Sequence, residues 1–208
     1  MAEERNRFAS LWEKVTSTGE YLRLGAIIAS SLTLIAGAIA LNTAMKYEPK
    51  TAEEGDGGLV ESGERPANGP LIDQTLVVTG ILTAAAATTL ILQTALILAS
   101  KCCVYVYEPS LSTLVYLKLT DFLASFVLVV AATGSTTLEG VVAYHWSNIN
   151  QDSRDDSLFR AVAGSTTFAS LLCLILLALC IVTFYTFYLL HKSSSRNRQK
   201  TVSSIAAV

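Results

Sequence analysis

The stretch "YLKLTDFLASFVLVVAAT", residues 116–133, carries Lys118 and Asp121 and then runs apolar without further charge. The apolar run continues to Tyr144 with one more acidic residue, Glu139. A run of this length crosses a bilayer as a helix, which takes about 20 residues. Three more runs do the same without any Asp, Glu, Lys or Arg: Leu24–Met45, Leu76–Ser100 and Ala161–Leu190. All four are continuous rather than alternating in polarity, which excludes a transmembrane β-barrel. The predicted fold class is an all-α membrane protein, a four-transmembrane-helix bundle with helices over 24–45, 76–100, 119–144 and 161–190. The membrane domain then occupies residues 23–191. It lies between an N-terminal segment, residues 1–22, and a basic, Ser-rich tail, residues 192–208.

The totals agree with this division. Of 208 residues 51% are hydrophobic, and the charges gather at the ends and in three gaps. A net charge of −2 offers no basic tract, so nucleic acid is not an expected partner. Ten of the 15 basic residues fall on one side: Arg5, Arg7, Lys14 and Arg23; Lys101 and Lys118; Lys192, Arg196, Arg198 and Lys200. The excess of Lys and Arg marks the cytosolic face, so both termini are expected in the cytosol. Glu20 and the mixed charge of the first 23 residues do not read as a cleavable leader. The first outer gap, "KYEPKTAEEGDGGLVESGERPANGP", is acidic and rich in Gly and Pro, and flexibility is expected there.

A carboxylate in a membrane helix needs a partner. Asp121 opens the third helix and Arg23 opens the first, and the two helices run the same way, so the charges share a depth. An Arg–Asp pair offsets the cost of burial through charge-assisted hydrogen bonds. The alternative is that each snorkels separately into the headgroups.

Small residues recur at four-residue spacing on every helix: Gly25, Ala29, Thr33 and Gly37 on the first; Gly80, Ala84 and Thr88 on the second; Ala132, Thr136 and Gly140 on the third; Ala161, Ser165 and Ala169 on the fourth. Such stripes let helices approach closely in lipid. They serve either packing within the bundle or contact between copies of the chain.

Four spans, an Arg opening "YLRLGAIIASSLTLIAGAIALN" and an Asp opening "KLTDFLASFVLVVAATGSTTLEGVVAYHW" together resemble the CASP-like family. This is the family of the Casparian strip membrane domain proteins, related to the MARVEL tetraspan domain. The resemblance covers roughly residues 20–192 and maps the family's helix-one Arg and helix-three Asp to Arg23 and Asp121. It implies a non-enzymatic tetraspan that assembles within the membrane. The long acidic first gap and a second outer gap without cysteine depart from the strip-forming members, so the general scaffold is what carries over.

Other residues read more plainly. Glu139 is expected at the outer interface, with proton or cation binding as the sharper alternative. Gln93 is expected to hydrogen-bond between helices. Cys102 and Cys103 sit beside the membrane on the cytosolic side and suit reversible palmitoylation, against two unmodified thiols. Cys173 and Cys180 read as core residues, and His145 and His191 lie at opposite faces, so no metal or cofactor site is expected. The tail's basic residues suit anionic lipid. No nucleophile–base pair or phosphate loop is visible, and an enzyme is not expected.

The expected function is an integral membrane scaffold that self-associates laterally and organises a membrane domain or recruits partners. The alternative is an accessory subunit of a larger channel, transporter or energy-transducing complex. A channel in its own right would need a continuous polar lining. The expected partners are membrane lipids and other membrane proteins, in homo- or hetero-oligomers. The plasma membrane is the expected location, with organelle membranes as the alternative.

Overall fold

The computed structural model describes residues 2–46, 69–106, 111–148 and 156–205. They form four α-helices: α1 (Ala2–Met45), α2 (Gly69–Val106), α3 (Leu111–Ser147) and α4 (Asp156–Ile205). Each contains a segment long and apolar enough to cross a membrane. The described residues contain no strand. The acidic first gap and residues 149–155 of the second polar gap lie outside the described residues.

Every helix is longer than its apolar run. Residues 2–22 form the first turns of α1, and the Ser-rich tail continues α4 as far as Ile205. Nothing interrupts either extension: no proline occurs in α1 or α4, and Arg, Lys, Glu and Gln are good helix formers. Proline instead marks a start. Pro70 is the second residue of α2, where its missing N–H would have had no helical partner.

The helices pack in a ring in chain order, α1 on α2, α2 on α3, α3 on α4 and α4 on α1. Of the two diagonals, α2 and α4 touch briefly, while the α1 and α3 backbones do not meet. The buried positions on α3 are Asp121, Ser125, Leu128, Ala132, Ser135, Glu139, Val142 and Trp146. Their spacing alternates four and three residues. The buried positions of α2, from Thr75 through Thr79, Leu82, Ala86 and Thr89 to Gln93, follow the same rule. This is the seven-residue repeat of left-handed helical bundles.

Two apolar layers fill the seam. One joins Ala26, Ala29, Leu128, Ala132, Leu172 and Leu176. The other joins Ala40, Ala44, Val142, Trp146, Leu158 and Val162. Large side chains such as Ile28, Ile35, Val127 and Leu174 face outward, as suits a surface bathed in lipid. Buried hydroxyls cost little, because they donate back to their own helix: Ser30 to the Ala26 carbonyl at 2.7 Å and Thr33 to Ala29 at 2.8 Å.

The small-residue stripes divide into two kinds. On α1, Ala29 and Thr33 are buried, Gly25 lies against Ile175 of α4, and Gly37 lies against Thr83 of α2. On α3 Ala132 is buried and Gly140 faces Thr166; on α4 Ser165 and Ala169 are buried. The α2 stripe points the other way. Ala84 and Thr88 are exposed, and nothing lies within 4 Å of a side chain built at Gly80.

A Cβ at Gly37 would sit 2.5 Å from the Thr83 hydroxyl, which is itself held by the Thr79 carbonyl at 2.7 Å. Gly37→Val should therefore push α1 from α2 and destabilise the bundle by about 1–3 kcal/mol. Gly80→Val should leave monomer stability nearly unchanged. Thermal unfolding of both variants in detergent micelles checks the contrast.

Candidate functional site: two polar nodes in the bundle core

Asp121 points inward because the seven-residue seam of α3 passes through it, and its side chain is 7% exposed. Arg23 enters from the opposite corner of the ring. Its side chain is 11% exposed, and its guanidinium forms an ion pair with Asp121 through one terminal nitrogen, Nη2, donating to Oδ1. The other, Nη1, donates to Gln93 Oε1 of α2 at 3.2 Å. The pairing is thus not bidentate. The guanidinium fork is split between two helices, and α1, α2 and α3 are joined at one point. Lys118, one turn before Asp121, places its ammonium 3.9 Å from the second carboxylate oxygen. Two further polar atoms at this node have no hydrogen-bond partner, Gln93 Nε2 and Ser125 Oγ.

At the second node Glu139, expected as a residue of the outer interface, is enclosed by the helices and fully buried, 0% exposed. It lies 18 residues from Asp121, or about 27 Å along α3 at the helical rise. Glu139 Oε1 accepts from Ser165 of α4 at 2.6 Å and from Thr79 of α2 at 3.2 Å. Oε2 has no hydrogen-bond partner. Two turns further along α3 from Glu139, the fully buried Trp146 donates its indole N–H to Thr75 of α2 at 2.9 Å. This node joins α2, α3 and α4.

The sequence placed Ser165 only in the small-residue stripe of the fourth helix, and Thr79 and the Trp146–Thr75 contact were not picked out. A signal existed: 18 residues make five whole helical turns, so Glu139 had to face the same way as Asp121. The first Arg-bearing node engages three helices and the second engages α4 in place of α1, so all four helices are held by buried polar contacts.

The remaining candidates are scattered. The Cys102 and Cys103 side chains lie outside the described residues. Cys180 is buried, and Cys173 is half-buried with its sulfur 3.3 Å from the Thr136 hydroxyl. His145 and His191 are exposed at opposite ends. Among the described residues no three His, Cys, Asp or Glu side chains gather as a metal site would require. Tyr188 and Lys192 form a cation–π contact of 5.9 Å where α4 leaves its apolar run.

Reversing either charge of the pair, as Arg23→Glu or Asp121→Arg, should destabilise the fold by on the order of 3 kcal/mol, since it leaves like charges facing inside the bundle. The double reversal should recover much of the loss. Folded yield and unfolding temperature in detergent measure all three; equal behaviour of the single and double variants would remove the pair from the account. No protein-family model, curated protein or solved structure matches the chain, so the reading of function begins from this geometry.

Proposed function

We propose that the chain is a non-enzymatic membrane scaffold that associates laterally with copies of itself, with α2 as the contacting helix. The observation that carries this reading is the outward direction of the Gly80–Ala84–Thr88 stripe. Small residues one turn apart on a lipid-facing surface leave a shallow groove in which a second helix backbone can lie. Thr88 adds no polar cost, because its hydroxyl donates to the Ala84 carbonyl at 2.8 Å. Gly134 and Gly164 also have open space beside them, yet their four-residue neighbours are large: Val130 and Leu138, Arg160 and Phe168. Among the described residues, only on α2 does the open glycine belong to a row of small residues.

The polar nodes support the same reading. They hold the four helices as one body, so a contact made through α2 reaches the whole bundle. The resemblance to CASP-like proteins in Arg23 and Asp121 points the same way. The basic excess places both termini in the cytosol on this reading, and the plasma membrane is the location proposed.

Energy transfer between donor- and acceptor-labelled copies in lipid vesicles tests it. The wild type should associate, and Gly80→Leu with Ala84→Leu should weaken association at least tenfold, a change of about 1.4 kcal/mol. Gly134→Leu should leave it unchanged. A wild type that stays monomeric as the protein-to-lipid ratio rises would end the scaffold reading and favour an accessory subunit of a larger complex.

A further inference from the structure

Glu139 presents a problem of charge. Asp121 is met by Arg23 and Lys118, whereas no cation meets Glu139 among the described residues. Besides the Cys173 thiol of α4, half-buried against Thr136, the ionisable side chains of the packed elements toward that end are Asp73 of α2, Asp156 and Arg160 of α4, Lys46 after α1 and His145 of α3 itself. All five are exposed, whereas Glu139 is 0% exposed. The apolar layers close it in from both sides: Leu128 and Ala132 toward the Arg23 end, Val142 and Trp146 toward the other. A carboxylate in such a place, held by two hydroxyls on one oxygen, is strongly disfavoured against its neutral form.

The hydroxyls themselves indicate which oxygen takes the balancing charge. Ser165 and Thr79 both donate to Oε1. Oε2 receives no donor, so a proton placed there displaces no hydrogen bond. A metal cation fits less well. The two carboxyl oxygens and the two donating hydroxyls make four ligands, and hard cations such as calcium take about six or more.

We infer that Glu139 is a proton-binding site, carrying a proton on Oε2 in the folded protein at neutral pH. In the neutral carboxyl Oε1 keeps its hydrogen bonds from Ser165 and Thr79, and Oε2, which no donor meets, carries the proton. This assignment is independent of self-association, which rests on the opposite face of the bundle wall.

Infrared spectroscopy of the full chain in lipid nanodiscs at neutral pH tests it. The wild type should show the carbonyl stretch of a protonated carboxyl in an apolar setting. The band should vanish in Glu139→Gln and persist in Asp121→Asn. A wild type without the band, or a band that survives Glu139→Gln, overturns the proposal. Should Glu139→Gln fail to fold, isotopic labelling of glutamate carboxyl carbons in the wild type decides: the band should shift, and an unmoved band overturns the assignment. Loss of the band on replacing potassium with sodium ions would show a metal cation in the site and likewise overturn it.

Discussion

A guanidinium inside a helical bundle has few places to go. Arg23 reaches across the diagonal that no backbone contact bridges, and its two terminal nitrogens engage Asp121 and Gln93 on different helices. The separation of α1 and α3, and the rotation of α2 between them, must all satisfy that one side chain. Glu139 imposes a similar condition on α2, α3 and α4 through Thr79 and Ser165. In lipid there is no hydrophobic force to choose among helix rotations, so buried polar contacts and close backbone approach do so. Leu and Ile side chains are interchangeable in their distaste for water; an Arg that lacks its Asp has no comparable alternative.

The layering between the nodes limits what the core can conduct. The Ala26, Ala29, Leu128, Ala132, Leu172 and Leu176 cluster stands between the Arg23 node and the Glu139 node. The buried hydroxyls near it are turned back onto their own carbonyls. The described core therefore gives no continuous polar lining of the kind that a channel requires. What it gives is a rigid frame with an apolar middle, suited to holding shape while its outer faces meet lipid or other helices.

Much of this frame was legible in the sequence. Unbroken apolar runs announced four spans, because a bilayer rewards length and penalises charge in a way no soluble core does. Arg23 and Asp121 were legible as a pair because few charges occur in those runs and two of them shared a depth. The direction of Glu139 was readable by counting five turns from Asp121, but its burial depended on how far α3 extends beyond the interface expected for it. The facing of the small-residue stripes was not readable at all. Gly37 and Gly80 sit in similar rows, and only the rotation of each helix decides that one meets Thr83 and the other meets nothing. Helix lengths escaped for another reason: hydropathy marks where the membrane stops, whereas α1 begins at Ala2 and α4 reaches Ile205, well beyond their apolar runs.

Trp146 has an optical consequence. The chain holds two tryptophans, and this one is 0% exposed, with its indole N–H bound to Thr75 two turns from Glu139. An indole shielded from water emits toward the blue, and its emission moves red when solvent enters. The protein thus carries a native fluorophore at its more secluded polar node. Any opening of the seam between α2 and α3 there is written into the colour of its own light, with no label attached.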